Sequence, residues 1–368
     1  MHTRRVFHLT GAIALACLTL QVFSLAAIAQ TDIAQLQSRR NVGLFFDKLR
    51  DGREVNVAFL GGTVSAGPSG QEAGKGLRAS TLSWLRAQYP RQKINELNAT
   101  VRGTGSAYGA IRVRRDVVEH KPDLAIVEFA YDDARETDDD IQRSIEGIIR
   151  QLLAVSEPPE IIILCIPRDG DQRVPKLHDQ IAGFYRIPAV TVMEGSGAKP
   201  ADALIQYLDS VSKLQASPPV RILPGYFVSD EMTYGESKAF AEIAYGNSWK
   251  LESTTERSLP SSLVVSSKAE ATLEIVFEGT VAGISFRTGP DGGLLECLID
   301  GKPAPGVLAN IDTYSKEAGI ATRILTGGLS AGEHKLTVKV TGKKNPASSG
   351  NTIRLGSLLI GGSRPERL

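Results

Sequence analysis

From about residue 55 to residue 245, short apolar runs alternate with longer amphipathic stretches. The runs at 55–60, 93–98, 124–129, 161–166 and 189–192 predict strands, being short and bounded by polar or turn residues. Between them a helical period predicts helices over 77–88, 107–119, 141–155, 174–184 and 201–214, with a last one over 236–245. Pro122 stops the 107–119 helix. Strand–helix alternation of this kind gives a parallel sheet with helices on both faces, a three-layer α/β/α domain. Such a sheet binds ligands at the carboxyl ends of its strands.

After about residue 251 the period becomes two. Leu273-Glu274-Ile275-Val276-Phe277 and Leu336-Thr337-Val338-Lys339-Val340 are examples. Turn residues separate these runs: Gly289-Pro290-Asp291-Gly292, Asp300-Gly301 and Ala331-Gly332. The pattern predicts a C-terminal antiparallel β-sandwich of about 110 residues. The chain divides on this reading into an α/β domain at 30–250 and a sandwich at 251–368, with 253–262 as a linker. Ahead of both, Arg4-Arg5 precede an apolar run that ends near Ala27-Ile28-Ala29, a small-residue cleavage site. Residues 1–29 therefore read as a signal peptide, and the expected location is periplasmic or extracellular. Thr3-Arg4-Arg5-Val6-Phe7 resembles a twin-arginine signal and reads equally as an ordinary export signal with two arginines. No later segment is long and apolar enough to span a bilayer.

Composition narrows the function classes. The formal net charge of +1 gives no electrostatic reason to expect a nucleic acid or an anionic membrane as partner. Beyond the export segment two cysteines remain, Cys165 and Cys297, each inside an apolar run, so they read as buried free thiols. Three histidines remain, His120, His178 and His334.

The strand ends carry the candidate chemistry. The first gives Gly61-Gly62-Thr63-Val64-Ser65 and the second Asn98-Ala99-Thr100-Val101-Arg102-Gly103-Thr104-Gly105-Ser106. The third gives Glu128-Phe129-Ala130-Tyr131-Asp132-Asp133, and Asp230-Glu231-Met232-Thr233 lies near the last predicted helix. In order, spacing and supporting strands these blocks resemble the SGNH (GDSL-like) hydrolases, a family of esterases, lipases and carbohydrate deacetylases. The resemblance covers residues 42–245. It implies a nucleophile at Thr63, an oxyanion-hole glycine at Gly103 and an oxyanion-hole side chain at Asp132. It also implies an orienting acid at Asp230 and a base at Thr233. It makes an acylated carbohydrate or polysaccharide the expected partner, or a protein, bound through the cleft, the sandwich or both. The sandwich also resembles a module appended to exported relatives.

Three of those five positions depart from the family. Thr63 stands where the family has Ser, Asp132 where it has Asn, and Thr233 where it has His. A threonine nucleophile needs a base to take its proton, and a second hydroxyl has no useful basicity near neutral pH. An ionised carboxylate accepts hydrogen bonds and repels a developing oxyanion, and losing one donor there costs about 10²–10³ in rate. The expectation is a protein impaired in the family's mechanism that binds a glycan or a partner.

The alternative is an active esterase or deacetylase with a reassigned nucleophile or base. Ser65 is a second candidate hydroxyl, which reads also as a cap for the following turn. His178, on the helix after the fourth strand, is a candidate base, which reads also as a solvated helix residue. His120 falls at the amino end of a strand, on the other side of the sheet. The acidic run Asp132, Asp133, Glu136, Asp138, Asp139 and Asp140 reads as a hard-cation site or, for Asp138–Asp140, as charge complementing a helix amino end. It lacks a recognised ligand spacing, and Gly103-Thr104-Gly105 lacks the rest of a dinucleotide fingerprint, so neither metal nor cofactor is expected.

Overall fold

The computed structural model describes residues 39–67, 74–192, 199–218, 223–243, 246–256, 258–304, 308 and 310–362. The expected export segment lies outside these residues. Among the described residues no helix is long and apolar enough to cross a membrane.

The first half alternates as the sequence pattern predicts. Its strands are β1 (Val55–Gly61), β2 (Ile94–Thr100), β3 (Leu124–Glu128), β4 (Glu160–Cys165) and β5 (Ala189–Thr191). They form one parallel sheet in the order β2-β1-β3-β4-β5. The helices are α1 (Gly43–Arg50), the single turn α2 (Thr63–Ala66), α3 (Leu77–Gln88), α4 (Ser106–Asp116), α5 (Asp138–Leu153), α6 (Arg173–Phe184) and α7 (Pro200–Ser212). Alternate strand residues sort the long helices onto two faces. Val57, Phe59, Ile126, Ile162 and Leu164 pack on Phe45 and Phe46 of α1, Leu82 of α3 and Leu204 of α7. Ala58, Leu60, Val127 and Ile163 pack on Ile111 of α4, Ile145 and Ile148 of α5 and Ile181 of α6. Asp138, Asp139 and Asp140 fill the first turn of α5, whose Thr137 cap accepts from Asp140 N–H at 3.2 Å. The three α/β/α layers are therefore present.

The second half is antiparallel. One sheet runs β14 (Gly319–Thr326), β10 (Val281–Thr288), β16 (Ile353–Gly362), β8 (Ser262–Ser266), β7 (Lys250–Ser253). The other runs β12 (Lys302–Pro303), β11 (Gly293–Ile299), β15 (Glu333–Lys344), β9 (Thr272–Glu278), with β13 (Asn310–Asp312) beside β11. β9 shows the strict in–out alternation that period two predicts. Ile284, Phe286, Leu355 and Leu358 of the first sheet meet Ile275, Leu295, Cys297 and Val338 of the second in one core. Cys165 and Cys297 are buried and unbridged.

Two expectations are corrected. Residues 234–239 form β6 (Tyr234–Ala239), paired antiparallel with β16, and only Phe240–Ile243 is helical (α8). The helix-like composition of 236–243 yields to cross-strand pairing with Ile360 and Leu358, a tertiary contact that local periodicity does not register. Residues 253–262 are no linker. Ser253 pairs with Ser262 across a connection between β7 and β8, inside the sandwich sheet.

Candidate active site

β1 ends at Gly61, and Gly62 leads into α2 at Thr63. The turn is tight because Asp132 sits on it: a Cβ at position 62 would lie 2.0 Å from Asp132 Oδ2. Thr63 N–H donates to Asp132 Oδ2 at 2.6 Å, and Thr63 Oγ1 donates to Asp132 Oδ1 at 2.7 Å. Gly103, held at φ +75°, donates its N–H to Thr63 Oγ1 at 3.0 Å. The first three blocks thus meet at the carboxyl edge of the sheet, as a triangle in which Thr63 is bonded to both Asp132 and Gly103. Burial raises the Asp132 carboxyl above its ordinary pKa, the Thr63 hydrogen bonds oppose the shift, and Asp133 adds to it while Arg168 opposes it.

A second hydroxyl–carboxylate pair lies beneath the first. Ser65 donates its N–H at 3.0 Å and its Oγ at 2.9 Å to Glu128 Oε2. Ser65 and Glu128 are both buried, and Glu128 Oε1 has no partner. Burial lifts Glu128 to about 7, against the Ser65 hydrogen bond and with help from Asp132 and Asp133. Ser65 therefore faces into the protein rather than into a cleft.

His178 is not a solvated helix residue. It is wholly buried, with Nε2 3.1 Å from Asp133 Oδ2. Asp133 Oδ1 accepts from Ser106 N–H at 2.7 Å, so this carboxylate pins the start of α4 to α6. His120 is exposed at the amino end of β3, and His334 lies in the sandwich, bonded to Asp300 and the Ser330 carbonyl. Among the described residues no imidazole makes a hydrogen bond to Thr63 or Ser65.

The fourth block does not join the triangle. Thr233 N–H and Oγ1 both donate to the Asp230 carbonyl, at 3.0 and 2.8 Å, closing a turn. Glu231 pairs with Arg143 of α5 at 2.5 Å. Among the described residues no hydrogen bond or ion pair links Asp230 or Thr233 to Thr63, Gly103 or Asp132.

Sequence reasoning passed over two residues of the site. Arg168 lies after β4, over the Tyr131 ring at 5.1 Å, and its charge acts on Asp132. Its place just past a parallel strand was the signal available. Arg112 on α4 is wholly buried and donates to the Ala99 carbonyl at 2.6 Å and the Gly61 carbonyl at 3.4 Å. It ties together the carboxyl ends of β2 and β1, the two strands that carry Gly103 and Thr63. One of three arginines in an amphipathic helix gives no such signal.

As arranged, Thr63 is a hydroxyl whose proton points at a carboxylate. The two backbone N–H groups that could receive an oxyanion are both engaged, one by Asp132 and one by Thr63 itself.

The chain superposes on a two-domain esterase active on acetylated mannans, crystallised with mannopentaose. The TM-score is 0.76 at 17% identity, covering 90% of this chain and 98% of that one. A second crystal structure of a two-domain esterase active on acetylated mannans superposes with the same TM-score and identity, covering 90% and 99%. The shared fold is that of a two-domain esterase, a three-layer α/β/α domain followed by a β-sandwich. No protein-family model matches the chain, and no curated protein does.

Proposed function

We propose that this SGNH-like protein has lost ester hydrolysis by the hydroxyl–imidazole mechanism and acts by binding an acylated polysaccharide. The observation that carries the first part is the Thr63–Asp132–Gly103 triangle. Asp132 sits as a resident anion on Thr63 N–H, in the place an oxyanion would need. A substrate carbonyl has to displace that carboxylate and then develop negative charge beside it. Among the described residues no imidazole is hydrogen-bonded to Thr63 to accept its proton. The polysaccharide reading is supported by the acetylated-mannan activity named for the two structural neighbours. Export is supported by residues 1–29, whose basic start, apolar run and small-residue site fit a signal peptide.

One observation favours a second reading. The 2.7 Å bond from Thr63 Oγ1 to Asp132 is itself a nucleophile–base contact, and a raised carboxyl pKa is the direction a base needs. Under that reading the chain is an esterase with Asp132 as base.

Incubation of the mature chain with insoluble acetylated mannan tests both. The proposal expects protein retained on the solid and acetate release no faster than in buffer. Protein left in solution overturns binding. Acetate release that Asp132→Asn abolishes overturns the loss of hydrolysis and establishes the second reading.

A further inference from the structure

The two hydroxyl–carboxylate pairs grip one four-residue turn, α2. Thr63 gives its N–H and Oγ1 to Asp132, and Ser65 gives its N–H and Oγ to Glu128. The two carboxylates differ in their surroundings. Glu128 is wholly buried at the end of β3, its Oε1 has no partner, and among the described residues it forms no ion pair. A charge held there is costly, so this carboxyl ionises only near neutral pH, at about 7. Asp132 lies on the loop beyond the strand and is half-buried, so its side chain can rotate off the turn.

A cation stands ready on that side. Arg168 lies over the Tyr131 ring at 5.1 Å, and its charge already acts on Asp132. Its ion-pair partner among the described residues is Asp169, at 3.5 Å and 86% exposed, a solvent-screened contact that leaves the guanidinium able to take a second carboxylate. The other charged or titratable groups around the pair are fixed. Asp133 is held by Ser106 N–H and His178. Arg78 of α3 donates to the Ser65 carbonyl at 3.0 Å and pairs with Glu96. Arg112 of α4 donates to the Gly61 carbonyl, at the foot of the turn. Burial lifts the Cys165 thiol of β4 to about 12, so it stays neutral.

Repulsion from Asp132 and Asp133 helps to lift Glu128, and an ionised Glu128 repels both in return. Asp133 is pinned from two sides and cannot yield. The Ser65 bonds strengthen as Glu128 becomes an anion, so α2 stays in place. What remains to move is Asp132. We infer that Glu128 gates the Thr63 site: when its carboxyl loses its proton to solvent, Asp132 is driven off Thr63 towards Arg168, uncovering Thr63 N–H and Oγ1. The site is closed below neutral pH and opens above it. This inference rests on the reading of Asp132 as the anion that occupies the site, and its test needs no ligand.

Nuclear magnetic resonance on the isotope-labelled mature chain follows two signals between about pH 5.5 and about pH 8.5. Glu128 Cδ reports ionisation. Solvent exchange of Thr63 N–H, divided into the rate for an unstructured chain at the same pH, reports its protection by Asp132. The expected result is a Glu128 midpoint near 7 and an about tenfold fall in Thr63 protection across that midpoint. Glu128→Gln, which keeps an oxygen for Ser65 but carries no charge, should show constant protection. Where that variant does not fold, coincidence of the two midpoints in the parent decides the question. Protection that stays constant while Glu128 titrates overturns the gate and leaves the proposed function standing. An equal fall in Glu128→Gln also overturns it, since another group is then responsible. Thr63 N–H unprotected at every pH removes Asp132 from the site and overturns both the gate and the observation that carries the loss of hydrolysis.

Discussion

Asp132 sets the character of the site more than the threonine at position 63 does. Threonine keeps a hydroxyl at position 63, but the carboxylate at 132 captures that hydroxyl and the N–H beneath it. Glu128 sits close by, with its carboxyl lifted to about 7 from an ordinary 4.5. Its stabilising protonated form is fully present below 4.5 and is lost as pH rises toward 7, a change of about 3 kcal/mol. Chemical denaturation at about pH 5 and about pH 8 should show the parent less stable at the higher value, with Glu128→Gln reducing that difference. Glu160, lifted to about 7 by burial, contributes with the same sign, so the slope shrinks without vanishing. An unchanged slope contradicts the burial argument. Arg112 makes a separate prediction. Arg112→Met removes a buried donor from the Ala99 and Gly61 carbonyls and from Asp116, of which Gly61 keeps Val101 N–H and Asp116 keeps Arg115, and should cost about 1–3 kcal/mol in unfolding free energy. At this scale the sequence blocks place Thr63, Gly103 and Asp132 at adjoining strand ends, and that much is legible without coordinates. The direction in which Asp132 and Ser65 point is not legible, nor is the burial of His178, because each depends on a partner from another element.

At the scale of elements, legibility follows how local the determining contacts are. The 77–88 helix matches its predicted bounds, and the five parallel strands lie where apolar runs end in turn residues. β6 fails that rule because its partner, β16, lies more than a hundred residues further along the chain. A local signal was present in Gly235. A Cβ there would lie 2.3 Å from Ile111 Cα, so the strand runs hard against the backbone of α4. Gly235→Ala should therefore destabilise the protein by about 1–3 kcal/mol, read from the denaturation midpoint at constant slope. A neutral result means that β6 can move away from α4 at little cost.

Over the whole molecule, the two halves share apolar packing rather than a tether. Met232, Val281 and Leu359 belong to the same buried cluster as Ile111 of α4 and Ile148 of α5. Unfolding followed by aromatic fluorescence and by far-ultraviolet dichroism should then give coincident single transitions, and two separated transitions contradict this packing. The same union sets the β7–β8 connection beside Tyr108 of α4. The fold is shared with a two-domain esterase, whereas the proposal is that the Thr63 hydroxyl does not attack an ester. The most direct measurement is turnover of a small activated acetyl ester by the purified mature chain beside Thr63→Ala. With Thr63 held by Asp132, both rates should equal the buffer rate. Turnover above buffer in the parent that disappears in Thr63→Ala contradicts it.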